Sequence, residues 1–225
     1  MYNYVLFDLD GTLTDSKEGI IKSVAYALEK MGETTAGRLD QHTVIGPPMM
    51  TTFTQVYGFS EAKARHLYSL FQERYGTVGR FENKPFPGIL DLLQALRDHG
   101  VASYVATSKP TVHAQAICDK FGITPYVEAV CGSTLGGSET KADVMQAVLD
   151  RIGPDGVPSS LMVGDRKYDV IGARETHAVL PLSHRRLRLW HRGRTAGLPA
   201  GLLRPRRAGT TADYPWRYKQ IGEIV

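Results

Sequence analysis

The stretch Tyr4-Val5-Leu6-Phe7-Asp8-Leu9-Asp10-Gly11-Thr12-Leu13-Thr14 runs an apolar segment into two carboxylates two residues apart, then a glycine and two hydroxyls. Residues i and i+2 of a strand share a face, so Asp8 and Asp10 project together from the strand end. Gly11 permits a sharp turn, and Thr12 can satisfy loop backbone groups. Paired carboxylates in such a place suit a nucleophile or cation ligand beside a proton carrier. As a bare pair they also fit an acidic turn after a strand.

Outward from this strand the pattern is helical. Ile20, Ile21, Val24, Ala27, Leu28 and Met31 recur at helical spacing, with Ser16 as N-cap and Gly32 as stop. Ile45-Gly46-Pro47-Pro48 breaks the chain, and a short helix follows over residues 49–56. Ser60 caps a helix over 61–75 with Ala64, Leu67, Tyr68 and Phe71 on one face. Lys84-Pro85-Phe86-Pro87-Gly88 reads as a rigid linker, so residues 15–84 form a helical insertion. From Ile89 onward helices alternate with strands at 101–106, 126–131 and 161–163. That alternation predicts an α/β fold with a doubly wound, Rossmann-like parallel sheet. The predicted core is 1–14 plus 85–182. Ligands on such sheets bind beyond the carboxyl ends of the strands.

Composition fits this reading. The chain has 225 residues, 42% hydrophobic and 22% charged, enough to bury a core. No apolar run approaches a membrane span, and the first residues lack a basic leader, so a cytoplasmic protein without membrane contact is expected. Cys118 and Cys131 have no metal spacing and read as free thiols. His66, His99 and His113 fall on helical stretches and read as surface or internally satisfied histidines.

Three further polar groups fall at predicted strand ends. Thr107-Ser108 follows the strand 101–106, where hydroxyls and helix-start N–H groups can hold phosphoryl oxygens. Lys141 begins a helix, where its charge opposes the helix dipole and hints at work toward a ligand. Gly164-Asp165 with Asp169 supplies hard oxygens suited to Mg²⁺. Singly, Thr107 also fits a helix cap, Lys141 a solvated lysine and Asp169 a helix-start carboxylate.

In order, Asp8-Leu9-Asp10-Gly11-Thr12, Thr107, Lys141 and Gly164-Asp165 with Asp169 resemble the four motifs of the haloacid dehalogenase superfamily of phosphotransferases. Residues 15–84 look like that superfamily's helical cap of the first class. The segments 82–88, 106–110 and 162–166 look like the phosphoglycolate phosphatase group and its neighbours. The resemblance covers residues 1–176. It implies a Mg²⁺-dependent phosphomonoester hydrolase acting through an aspartyl phosphate. Asp8 would be the nucleophile and Asp10 the general acid and base. Asp8, the Asp10 carbonyl, Asp165 and Asp169 would hold the metal, and Thr107, Ser108 and Lys141 the phosphoryl group. Gly46-Pro47 in the break between cap helices is the candidate leaving-group contact; a purely structural turn is the alternative. A small phosphorylated metabolite is the implied partner, phosphoglycolate first, with a nucleoside monophosphatase or a phosphomutase as alternatives. Of a different class is an inactive truncated product, or a nucleic-acid binder acting through the tail.

The tail departs from that pattern. Residues 1–176 carry 17 Lys+Arg against 21 Asp+Glu, whereas 177–225 carry 10 against 2. After Thr176 the chain turns to Arg, Pro, Leu, Gly and Ala. Codons compatible with residues 183–196, read one base later, give VTVGYGYGTVEEL, the Gly-Tyr-Gly loop and acidic helix start that the resemblance calls for. A net frameshift near Thr176/His177 is therefore expected, leaving 183–225 as an atypical basic tail with poor order, and residues 177–182 as a makeshift strand. A nucleic-acid-binding tail of ten cations is the alternative.

Overall fold

Strand β1 (Tyr4–Phe7) is the middle of a five-stranded parallel sheet with order β3-β2-β1-β4-β5. The structure is a computed structural model that describes residues 2–45 and 47–183. The other strands are β2 (Ala102–Pro110), β3 (Ala129–Ser133), β4 (Ser160–Gly164) and β5 (Val179–Ser183). Helices α1 (Lys17–Lys30), α2 (Gln41–Val44), α3 (Met49–Thr51) and α4 (Glu61–Tyr75) fall between β1 and β2, followed there by α5 (Ile89–Asp98). Then come α6 (Thr111–Lys120), α7 (Lys141–Ile152) and α8 (Lys167–Glu175).

β1 is apolar at every position because both of its faces are covered. Val5 and Phe7 pack with Ile89, Leu93, Leu96 and Ile117 of α5 and α6. Leu6 packs on the opposite face with Met145, Val148 and Ala173 of α7 and α8. The alternation of a strand therefore builds a core on each side of one sheet.

The helical insertion has its own apolar cluster, in which Val24, Leu28, Phe53, Leu67 and Phe71 are buried. The chain enters and leaves it through adjacent linkers. Asp15 N donates to Lys84 O at 2.8 Å, Phe86 N to Leu13 O at 3.0 Å, and Asn83 Nδ2 to Thr14 Oγ1 at 3.1 Å. The Met49–Thr51 helix widens into a π turn over Thr52–Val56.

Several sequence expectations change. Ser16 precedes α1 but makes no side-chain cap bond; it is buried instead. β2 continues through Thr107 to Pro110, with a register irregularity after Ala106, and α6 follows directly from Thr111. Thr107 thus lies on the strand rather than at a helix start. Residues 124–126 form a 3₁₀ turn, and the third strand starts later, at Ala129.

The edge of β4 is paired. β5 runs parallel to it, with Leu161 opposite Val179 and Gly164 opposite Ser183. The makeshift strand expected over residues 177–182 thus forms, shifted to 179–183 so that it takes in Ser183, the first residue assigned to the tail. His177, at the junction, takes a left-handed backbone with φ 57°, a conformation that a side chain disfavours. Gly46 and the expectations for residues 184–225, disorder, frameshift and nucleic-acid contact included, lie outside the described residues. No helix among the described residues is long and apolar enough to cross a membrane.

Candidate active site

The carboxyl ends of β1, β2 and β4 converge on one acidic centre. Asp8 N donates to Val163 O at 2.9 Å, extending the ladder by one residue and fixing Asp8 at the sheet's rim. Beyond it Gly11 adopts φ +84°, and a Cβ there would stand 2.7 Å from Asp165 Oδ2. Gly164 has a similar duty, since its Cβ would lie 2.2 Å from Asp169 Cγ. Two glycines therefore let a loop and a strand close directly on carboxylates.

Asp8, Asp165 and Asp169 each present an oxygen within 4.8 Å of the others. Lys141 bridges two of them: its Nζ is 2.7 Å from Asp8 Oδ1 and 2.8 Å from Asp169 Oδ1. Burial alone would lower the Lys141 pKa, but Asp8 and Asp169 outweigh it and raise it, so the ammonium stays charged. Its helix does not suffer for the misplaced cation. Thr140 Oγ1 accepts from Asp143 N at 3.2 Å while Asp143 Oδ2 accepts from Thr140 N at 2.8 Å, a capping box that returns an anion to the first turn. Asp169 is likewise built into a helix start, its Oδ2 accepting from Arg166 N at 2.9 Å.

Asp165 is the incompletely served member. Its Oδ1 is buried without a hydrogen-bond partner among the described residues, and its Oδ2 pairs with Arg166 Nε at 3.2 Å. Burial, with Asp8 adding repulsion, pushes its pKa up to about 7. Three clustered oxygen donors and one orphaned carboxylate oxygen fit a hard divalent cation.

Asp10 turns elsewhere. Its Oδ2 is 2.8 Å from Lys109 Nζ, and its Oδ1 is buried without a partner among the described residues. Burial would lower the Lys109 pKa, but Asp10 and Tyr75 more than offset this and raise it. Lys109 is the residue that reasoning from the sequence missed. The available signal was its spacing from Thr107, since i and i+2 on a strand share a face. Thr107 is buried, and its Oγ1 accepts from Lys109 N at 3.3 Å. Ser108 lines the cleft and its carbonyl accepts from Ser133 Oγ at 3.1 Å.

The insertion forms the facing wall. α4 supplies Tyr68, Phe71, Gln72 and Tyr75, and Pro47, Pro48, Met49 and Met50 line the cleft beside them. Among the described residues of the insertion, no charged side chain lines it. Gly136 N, after β3, donates to Tyr68 Oη at 3.2 Å and joins core to wall.

A sequence profile of haloacid dehalogenase-like hydrolases matches residues 5–179. The chain belongs to that family. This haloacid dehalogenase-like chain is 43% identical over 175 residues to a 5'-nucleotidase of Pseudomonas aeruginosa, covering 76% of itself and 78% of that protein. It is 41% identical over 172 residues to the tyrosine-protein kinase PtkA of Mycobacterium tuberculosis, covering 75% of itself but 57% of PtkA. Phosphoglycolate phosphatases are further relatives, one at 29% identity over 175 residues, from Agrobacterium fabrum. Its structure resembles that of a Clostridium acetobutylicum protein described as a predicted phosphatase, with TM-score 0.72 and 42% identity, covering 79% of this chain and 82% of that one.

One histidine of this family member ties wall to core. His113 is buried and its Nε2 lies 2.7 Å from Gln72 Oε1 of α4. It is internally satisfied on that side, as the sequence suggests, though not at the surface. Burial, with repulsion from Lys109 and Arg80, pushes its pKa down from 6.5 to about 4. The unfolded chain therefore binds this proton first, so stability is intact above about pH 6.5 and falls as pH drops toward 4. At pH 5 the loss attributable to His113 should be about 2 kcal/mol. Denaturant unfolding at pH 7 and pH 5 checks this: His113→Gln should lose less stability across the interval than the unmodified protein.

Proposed function

We propose that this protein is a Mg²⁺-dependent phosphomonoester hydrolase whose leaving group is neutral and flat, of the nucleoside 5'-monophosphate kind. The apolar, uncharged wall opposite Asp8, Asp10 and Lys141 carries the reading. A nucleoside can lay its base against the half-buried Tyr68 ring of α4, which lines the cleft. The glycolate of phosphoglycolate would bring a second carboxylate against methionine and tyrosine, where no side-chain cation among the described residues of the insertion would meet it. The 5'-nucleotidase relative supports the same preference. Phosphoglycolate, favoured by the sequence motifs and by weaker relatives, is the competing substrate.

In this mechanism an Asp8 oxygen attacks phosphorus and the bond from phosphorus to the ester oxygen breaks. Asp10 gives its proton to the departing alkoxide. Asp10 then takes a proton from the water that attacks the aspartyl phosphate, releasing inorganic phosphate and restoring Asp8. Lys141 lies against Asp8, so its charge offsets the repulsion between a carboxylate and a phosphate dianion. Thr107 and Ser108 offer hydroxyls to the phosphoryl oxygens. A Mg²⁺ ion held by Asp8, the Asp10 carbonyl, Asp165 and Asp169 would supply further neutralising charge at the phosphoryl group. Residues 15–84 then act as a cap that limits water at the reacting atoms, with Pro47 among its leaving-group contacts.

The test is a substrate panel with and without excess EDTA. Nucleoside 5'-monophosphates should be hydrolysed with kcat/KM at least ~10-fold above phosphoglycolate, about 1.4 kcal/mol of discrimination, and EDTA should remove turnover. The reverse order would return the assignment to phosphoglycolate. A rearranged phosphate ester in place of free phosphate would identify a phosphomutase. No turnover with any phosphate ester would favour an inactive product.

A further inference from the structure

Lys109 and Tyr75 form a buried pair to which the mechanism above gives no duty. Lys109 is 8% exposed and Tyr75 is 2% exposed. The Lys109 ammonium donates a hydrogen bond to the Tyr75 hydroxyl and lies 2.8 Å from Asp10 Oδ2. Lys109 belongs to the core strand β2, whereas Tyr75 is the last residue of α4 in the insertion. The Tyr75 ring is fixed on both sides. It stacks on Phe71 at 5.0 Å and 11°, and meets His113 edge-on at 5.3 Å. A buried lysine has many rotamers and must be aimed by its acceptors. Here the two acceptors come from different parts of the fold.

We propose that Tyr75 is a positioning residue for proton transfer: its hydroxyl aims Lys109, and Lys109 holds the Asp10 carboxylate where the leaving oxygen will depart. This rests on the phosphatase reading above. Asp10 has one oxygen engaged by Lys109 and one, Oδ1, without a partner among the described residues. The engaged oxygen anchors the carboxylate while the free one is left to exchange a proton. The insertion thereby contributes to the chemical step as well as to binding, since removing the Tyr75 hydroxyl releases the anchor and leaves the ring's packing on Phe71 and His113 in place.

Tyr75→Phe keeps both ring contacts and deletes only the hydroxyl. Single-turnover phosphoryl transfer should be followed with a nucleoside 5'-monophosphate and with p-nitrophenyl phosphate. The nucleotide's alkoxide needs a proton as it leaves, whereas p-nitrophenolate scarcely does. The variant should slow the nucleotide step at least ~10-fold and the nitrophenyl step less than ~3-fold, a split that distinguishes proton delivery from general damage. KM should stay within about twofold, because ring contacts persist. The same measurement in a Lys109→Met background tests the route. If Tyr75 acts through Lys109, adding Tyr75→Phe there should cost nothing further. Equal slowing of both substrates, a change confined to KM, or a full Tyr75→Phe effect without Lys109 would each overturn the proposal. No turnover by the unmodified protein on either substrate would instead overturn the phosphatase reading, and this one with it.

Discussion

Replacing Asp8 by Asn should lower kcat by at least ~10³-fold, a loss of roughly 4 kcal/mol of barrier reduction. An amide lacks the anionic oxygen needed to attack phosphorus. The substitution is nearly isosteric, and the Lys141 ammonium keeps its contact with Asp169 at 2.8 Å, so the buried lysine is not stranded. The fold should therefore persist, and a thermal melt alongside the kinetics separates lost chemistry from lost structure. Retained turnover in Asp8→Asn would remove the aspartyl-phosphate mechanism altogether.

Asp10→Asn should be the second most damaging change, at ~10²–10⁴-fold on the hydrolysis of a nucleoside monophosphate. Asparagine can still accept from Lys109 through its amide oxygen, so the 2.8 Å contact has a replacement. Binding of a phosphate analogue such as vanadate should survive, because the residues proposed to hold the phosphoryl group are intact. Phosphoryl transfer from p-nitrophenyl phosphate should suffer less than transfer from an alkyl phosphate, since its leaving group is the weaker base. Equal losses in single-turnover transfer would count against Asp10 as the acid. Asp10→Asn and Tyr75→Phe should then differ in size yet share one pattern across leaving groups.

The sequence made the sheet legible where local and global preferences agree. β1 reads as a strand because Val5, Leu6 and Phe7 are buried on two faces, and α7 begins at Lys141 as its periodicity predicts. The ordered carboxylates marked Asp8, Asp165 and Asp169, which the structure clusters. Lys109 was obscured because Lys109-Pro110 reads as a loop, whereas the strand continues through both. A lysine's charge predicts exposure, and only the three-dimensional partners Asp10 and Tyr75 justify its burial. The substrate wall was hidden for a different reason. Tyr68, Phe71 and Tyr75 share one helical stripe, but Phe71 and Tyr75 are core residues that also line the cleft, while Tyr68 reaches Gly136. Periodicity finds an apolar face; it does not divide that face between core and ligand.

The paired linkers at residues 13–15 and 83–86 have a consequence for how the chain finds its fold. Phe7 and Val105 are sheet neighbours almost a hundred positions apart, a separation that normally slows strand pairing. Once the insertion has gathered around its own apolar cluster, Asp15 and Lys84 are bonded neighbours. The open path between β1 and β2 then shrinks to roughly a quarter of its length, which lowers the entropy of closure by about 1 kcal/mol. Early collapse of residues 17–75 would thus prepay the central parallel pairing, and mutations that loosen the Val24–Phe53–Phe71 cluster should slow assembly of a sheet they never touch.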